Sequence, residues 1–217
     1  MPPEYPRSDE RRRMVEQQIA GRGIRDERVL DAMRKIPRHL FVPAPYDSDA
    51  YEDTPLPIGN GQTISQPYIV ALMTELLHPE PTDTVLEIGA GSGYQAAILS
   101  MLAKNVITIE RIDTVAALAK ANLAAVHADN VKIIIGDGTL GYLPAAPYNG
   151  ILVTAATPEI PAPLKAQLAE GGRLVVPVGD RTLQELFVLE RRDRFIEEHH
   201  GGVRFVPLIG EHGWKEN

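Results

Sequence analysis

Cysteine is absent from the 217 residues. That removes disulfide frameworks, thiolate zinc sites and cysteine nucleophiles at once. Positive charge is also short: 22 Lys and Arg stand against 29 Asp and Glu, a net charge of −7. A chain that follows nucleic-acid phosphates needs clustered basic residues, so no nucleic-acid partner is expected, and Arg11-Arg12-Arg13 reads as the solvated face of a helix. No apolar run approaches the ~18–20 residues of a membrane-crossing helix. The opening Met1-Pro2-Pro3-Glu4-Tyr5-Pro6 lacks the apolar centre of a secretion signal. A cytoplasmic monomer with no membrane partner is therefore the expectation. The six histidines are scattered and assemble neither a metal cluster nor a His-based triad; His199-His200 reads as part of a charged turn. No internal repeat or low-complexity tract occurs.

What is present is a hydrophobic fraction of 44%, enough for a sizeable core, and one concentrated motif, Val85-Leu86-Glu87-Ile88-Gly89-Ala90-Gly91-Ser92-Gly93-Tyr94. An apolar run, an acid and alternating glycines predict a strand, a tight turn and a helix start, with backbone free to approach a nucleotide-like ligand. A dinucleotide fingerprint is G-x-G-x-x-G; here Tyr94 occupies the place of its third glycine. Glu87 beside the turn would repel a pyrophosphate but receive an ammonium. Both features favour S-adenosylmethionine. Asn105-Val106-Ile107-Thr108-Ile109 predicts the next strand, ending at Glu110, which can accept ribose hydroxyls; NAD sites use the same carboxylate, so this residue does not separate the two cofactors. Val131 to Ile135 predicts a third strand running into Gly136-Asp137-Gly138, where the acid could accept an adenine amino group.

The remaining periodicity predicts a helix from Ser8 to Gly21, and a second capped by Asp26 with Val29, Leu30, Met33 and Ile36 on one face. A breaker-rich irregular segment follows over 38–64. A helix opens at Pro67, with Ile69, Val70, Met73, Leu76 and Leu77 buried. Strands are expected at 84–88, 105–110, 131–135, 150–154, 172–176, 183–190 and 203–208, and helices at 94–103, 113–126 and 162–169. This alternation predicts one α/β domain (residues 1–83 supplying helices and a substrate loop, 84–217 the cofactor-binding core) built on a doubly wound, mostly parallel sheet. Ligands in such sheets sit beyond the carboxyl ends of the strands, where Glu87, Glu110 and Asp137 fall.

Gly61-Gln62-Thr63-Ile64-Ser65-Gln66-Pro67 is the most specific segment. Together with the glycine turn, Gly136-Asp137-Gly138 and Gly171-Gly172-Arg173-Leu174-Val175-Val176-Pro177-Val178-Gly179, it closely resembles the protein-L-isoaspartate O-methyltransferase family, over about Arg13 to Leu208. The resemblance implies a seven-stranded class I methyltransferase fold. It implies methyl transfer from S-adenosylmethionine to the free α-carboxylate of L-isoaspartyl residues, less readily D-aspartyl, in damaged proteins and peptides, with repair through a succinimide. By the same likeness Glu87, Gly89, Gly91, Glu110, Asp137 and Gly138 would hold the cofactor, Ser65 would be the active-site residue, and Thr63 and Ile64 would shape its surroundings. Val206, Pro207 and Leu208 would line the substrate cleft. The chain departs from the family at Asn149, where Asp is common, so a salt bridge there would be lost.

Read from the residues alone, Ser65 is better placed to cap the helix opening at Pro67 than to touch a substrate. The glycine turn alone also fits a class I methyltransferase acting on another carboxylate or small molecule, or a non-catalytic S-adenosylmethionine-binding module.

Overall fold

A computed structural model describes residues 5–216; the Met1-Pro2-Pro3-Glu4 stretch read above lies outside them. The chain starts helically, with α1 (Ser8–Arg13) continuing through a π-wound Met14–Ile19 and a 3-10 turn to Gly23, whose φ of 107° ends the path. The π-wound section is what buries Met14, Val15 and Ile19. In α2 (Glu27–Lys35) the Asp26 carboxylate accepts the Arg28 N–H at 2.8 Å, and Val29, Leu30 and Met33 are buried, as the sequence pattern predicts.

Segment 38–64 is more ordered than expected. It holds 3-10 turns at Arg38–Phe41 and Ala44–Asp49, then an antiparallel hairpin of β1 (Leu56–Gly59) and β2 (Gln62–Ile64). Asn60 and Gly61, with φ of 52° and 69°, form its turn, the Asn-Gly pairing that two-residue hairpins favour. The hairpin leads directly into α3 (Pro67–Leu77).

The main sheet comprises β3 (Thr84–Ile88), β4 (Asn105–Glu110), β5 (Val131–Ile135), β6 (Tyr148–Val153), β7 (Leu168–Gly179), β8 (Gln184–Arg191) and β9 (Phe195–Val203), in spatial order β5-β4-β3-β6-β7-β8-β9. Strands β3 to β7 are parallel; β8 and β9 are antiparallel additions. α4 (Tyr94–Ser100) and α5 (Asp113–Ala125) connect β3 to β4 and β4 to β5, and the short α6 (Ala162–Ala166) precedes β7. From β3 the chain builds outward through β4 to β5, then returns to place β6 on the other side of β3. A crevice results between β3 and β6, at their carboxyl ends.

The strand period of two divides the core cleanly. Val85, Val106, Leu152, Val175 and Val188 face one layer, shared with the N-terminal helices, α3 and α4. Leu86, Ile88, Ile107, Ile109, Ile151, Val153, Leu174 and Val176 face the other, with Leu164 of α6. Each such side chain, essentially unexposed, contributes about 1.5–3 kcal/mol.

Two expected elements are placed differently. His199-His200 lie within β9 rather than in a turn; charged side chains along an outermost strand discourage unwanted edge pairing, and their polarity concealed it. The strand expected at 203–208 is not part of the sheet. After β9 the chain crosses the carboxyl end of the sheet, touching it through a bridge of Pro207 with Ala156. The Ala156 N–H donates to the Val206 carbonyl and the Leu208 N–H to the Ala156 carbonyl, each at 2.7 Å. Pro207 lacks the N–H a sheet interior requires. The helix expected over 162–169 is also shorter, because β7 already begins at Leu168.

Candidate active site

At the carboxyl ends of β3, β4 and β6 lies a cleft with about 940 Å³ of empty space, part of it open to solvent, at the place where ligands of such sheets bind. It brings together Thr63, Ile64 and Ser65 from the hairpin exit, Gly89 and Gly91 from the turn after β3, Glu110 from the end of β4, and Gly138. Val206, Pro207 and Leu208 complete it from the crossing segment. Residues separated by more than a hundred positions thus meet because the hairpin and the crossing segment both lie over the same strand ends.

The glycine turn is locked by contacts a side chain would prevent. Gly89 has φ of 96°, and a Cβ there would lie 2.5 Å from the Thr154 hydroxyl oxygen. That hydroxyl is within donating distance of the Gly89 and Ile88 carbonyls, at 2.7 and 2.9 Å. Across the cleft a Cβ on Gly138 would collide with Ile88. Glu110 is buried with its carboxylate tied down: one oxygen accepts the Gly91 N–H at 3.1 Å, the other the Ile112 N–H at 3.0 Å. The acid therefore fixes the glycine turn while facing the cleft.

Glu87 and Asp137 do not lie on the cleft wall. Glu87 is fully buried on the face of β3 that meets the N-terminal layer, and neither of its oxygens has a hydrogen-bond partner. The hydroxyl of Thr108, its register partner on β4, is likewise unpartnered. Burial outweighs the pull of the neighbouring Thr108 hydroxyl and, reinforced by the nearby charge of Glu110, pushes the Glu87 carboxyl up to about 8. Asp137 serves the backbone instead. Its Oδ1 accepts the Thr139 N–H at 2.8 Å and the Thr139 hydroxyl at 2.7 Å, while Oδ2 accepts the Glu211 N–H at 2.7 Å. Partial burial works against the charge, yet these bonds hold the carboxyl below the usual range. It thus fastens the chain's last segment to the turn after β5.

Ser65 is half-buried on the cleft wall. The capping position of α3 is Gln66, and its side chain does not cap that end, so the helix-cap use of Ser65 is not realised. Asn149 lies away from the cleft, where its Oδ1 accepts the Thr84 N–H at 3.0 Å; an amide oxygen does this as well as a carboxylate.

Sequence reasoning missed several wall residues. Thr154 and Ala155 follow β6, and their position at the end of the strand predicted over 150–154 was the available signal. Ile69, Val70 and Met73 of α3 were read as core only, because helix periodicity does not distinguish a cleft from a core. Arg38, which is not on the wall, gave no signal at all. It is fully buried, its Nε donates to the Ala50 carbonyl at 2.9 Å, and its two terminal nitrogens have no partner. Burial pushes it down to about 10. Its guanidinium lies 4.9 Å from the Tyr94 ring centre, and Phe41 meets the same ring edge-on at 5.4 Å.

The orphaned acid, the glycines that leave no room for a Cβ and the anchored Glu110 together fit an adenosyl group bearing a cationic amino-acid end. Comparison with known proteins agrees. A family model described as protein-L-isoaspartate(D-aspartate) O-methyltransferase matches residues 9–213. A protein-L-isoaspartate O-methyltransferase of Methanoregula boonei is 73% identical, covering 97% of this chain and 98% of its own. That of Methanospirillum hungatei is 61% identical over the same shares. A solved protein-L-isoaspartate O-methyltransferase superposes with TM-score 0.81 at 30% identity, covering 93% of this chain and 67% of its own. A Plasmodium falciparum structure, titled a putative enzyme of this kind in complex with S-adenosyl-L-homocysteine, gives 0.82 at 25% identity, covering 92% and 98%. On the extent of these matches, the chain belongs to the protein-L-isoaspartate(D-aspartate) O-methyltransferase family.

Proposed function

We propose that this chain methylates the free α-carboxylate of L-isoaspartyl residues, and less readily D-aspartyl residues, in damaged proteins and peptides, using S-adenosylmethionine and so starting their repair through a succinimide. The observation that carries the reading is the meeting, in one cleft, of the Thr63-Ile64-Ser65 segment with the glycine turn and Glu110. Bound S-adenosylmethionine supplies a methyl group made electrophilic by its sulfonium.

The chain's own residues have a limited task. A carboxylate with an ordinary pKa near ~4 is already ionised at neutral pH, so no proton needs removing. Among the described residues the wall carries no His or Lys, and its one guanidinium, Arg111, pairs with Glu216. What remains is positioning, which can supply roughly 7–11 kcal/mol. Ser65 donates a hydrogen bond that orients the substrate carboxylate, with Thr63 and Ile64 beside it. Val206, Pro207 and Leu208 form the opposite lip and exclude water. Glu110, Gly89, Gly91 and Gly138 would hold the adenosine portion, and Glu87, once ionised, would balance the amino-acid end from behind the turn. Asp137 contributes by fixing the segment that ends the cleft.

The same reading takes the enzyme as a cytoplasmic monomer without nucleic-acid or membrane partners. Its support is the net charge of −7 and, among the described residues, no helix long and apolar enough to cross a membrane. The deciding experiment offers labelled S-adenosylmethionine with an isoaspartyl peptide and the aspartyl peptide of the same sequence. Label entering only the isoaspartyl peptide is expected; equal labelling, or none, refutes the reading.

A further inference from the structure

Ser65 stands in a short link, Ser65-Gln66, between the end of β2 and the start of α3. Neither element fixes it alone. Ile64 is the last residue paired with β1, opposite Leu56, and Gln66 makes no cap with its own side chain. A helix start leaves its first amides without intrahelical partners, and here one of them is served from farther away. Asp53, in the bend before β1, accepts the Tyr68 N–H on Oδ1 at 3.0 Å and the Gln66 side-chain amide on Oδ2 at 3.2 Å. One carboxylate thus holds residues 66 and 68, on both sides of Pro67 and directly after Ser65. A negative charge at that end is also what the dipole of α3 favours.

Asp53 is itself held in place. The Arg22 guanidinium pairs with its Oδ2 and lies 3.6 Å from the centre of the Tyr68 ring. Buried Arg38 steadies the stretch before it, its Nε donating to the Ala50 carbonyl at 2.9 Å. Asp53 is not on the cleft wall, so it can act on bound molecules only through other residues.

We propose that Asp53 is a positioning residue for the acceptor half of the site: by holding Gln66 and Tyr68 it fixes the backbone from which Ser65 presents its hydroxyl. This deepens the role proposed for Ser65 and rests on it. Serine has a short side chain, so its reach is set by its backbone, and a misplacement of about 1 Å can lower a rate about a hundredfold.

The test compares Asp53→Ala and Asp53→Asn with the parent, counting cofactor-binding sites by calorimetric titration so that turnover refers to folded sites. Asparagine still offers an oxygen to the Tyr68 N–H but no charge to Arg22. Turnover on an isoaspartyl peptide should fall about tenfold or more in Asp53→Ala. In Asp53→Asn it should fall about two- to fivefold, the worth of one partly exposed ion pair. Cofactor affinity should stay at the parent level in both. In a Ser65→Ala background each Asp53 change should have almost no further effect, because nothing is left to position. Amide hydrogen exchange at Tyr68 should rise in Asp53→Ala and stay near the parent in Asp53→Asn.

Unchanged turnover per site in Asp53→Ala overturns the proposal, as does a loss that multiplies in full with that of Ser65→Ala. Where Asp53→Ala does not fold, Asp53→Asn decides by the same comparison: a loss confined to the Ser65 background supports the proposal, and an equal loss in both backgrounds overturns it. A parent enzyme that leaves the isoaspartyl peptide unlabelled refutes the proposed activity and the catalytic effect with it. Exchange at Tyr68 then still separates the outcomes, a rise in Asp53→Ala upholding the anchor and an unchanged rate overturning it.

Discussion

Replacing Glu87 by Gln tests whether its buried carboxyl is the counter-charge for the cofactor's ammonium. Its oxygens are fully buried without a partner, and its pKa is raised from 4.5 to about 8. The folded protein therefore holds a proton on Glu87 across a range where the unfolded chain does not. Stability from this group is fully present below about pH 4.5 and is lost as pH climbs toward about 8. At 1.36 kcal/mol per pH unit, the interval corresponds to up to about 5 kcal/mol. Glu87→Gln keeps the shape and cannot ionise. Urea unfolding should show variant and parent nearly equal near pH ~5, with the variant more stable by several kcal/mol near pH ~8. A difference that stays constant across this range would refute the assignment of a perturbed buried acid.

Binding supplies the second half of the same test. If an ammonium must meet an ionised Glu87, cofactor affinity should rise up to about tenfold between pH ~6 and ~7, because only the small ionised fraction is competent. It should level off as the α-amino group itself titrates near ~7.7–8.0. Calorimetry in two buffers of different ionisation heat should register a proton released on binding. Glu87→Gln should bind weakly, with no pH slope and no proton release. A parent enzyme whose affinity is flat over that interval places the ammonium elsewhere.

Ser65→Ala should lower turnover by roughly 10- to 150-fold, the worth of one hydrogen bond to a charged group at about 1.5–3 kcal/mol. Its melting point should stay unchanged, because Ser65 caps no helix; normal turnover with lost stability would reverse its assignment. Glu110→Gln should weaken cofactor binding about tenfold or more in calorimetric titration, while Glu110→Ala should also cost about 1–3 kcal/mol of stability by orphaning the Gly91 and Ile112 amides. Unchanged affinity in both would remove Glu110 from the site. Asp137→Ala should raise amide hydrogen exchange at Glu211 and His212, whose N–H groups bond to Asp137 and Thr139; full protection there would show that the last segment is held by other contacts.

The sheet was legible because its strands are short apolar runs separated by glycines and amphipathic helices, and both signals are local. Glu110 was legible for the same reason, as an acid ending a β-rich run. Less was visible where tertiary packing decides. The Asn60-Gly61 turn was hidden among prolines, β9 among charges, and the crossing segment at Val206 to Leu208 behind an apolar pattern that reads as a strand. Only Pro207, unable to donate to a ladder, marked the difference. Asp137 shows the limit for sites. Its place after a strand pointed to a ligand, but nothing local tells that Thr139 and Glu211 satisfy its oxygens.

The division of labour in this fold explains why the specific segment and the general one stand so close in space. Tyr94, the first residue of α4, leaves the glycine turn and is almost wholly buried. Its ring is braced by Phe41 and by the Arg38 guanidinium, and its hydroxyl reaches the Met33 sulfur at 3.8 Å. Met33, Arg38 and Phe41 all precede the sheet in sequence. The turn that would hold the cofactor is thus clamped from outside the α/β core, by the same N-terminal region that delivers Ser65. A sheet alone could bind the adenosyl group through Gly89, Gly138 and Glu110. The residue proposed to orient an acceptor carboxylate, Ser65, comes instead from the segment after the hairpin. In the hairpin, Ile58 and the Thr63 carbonyl lie beside Gly91, 3.7 and 4.0 Å from where a Cβ would stand, so the proposed acceptor and donor halves share one reference. Positional precision matters more here than proton chemistry, because the nucleophile arrives already charged.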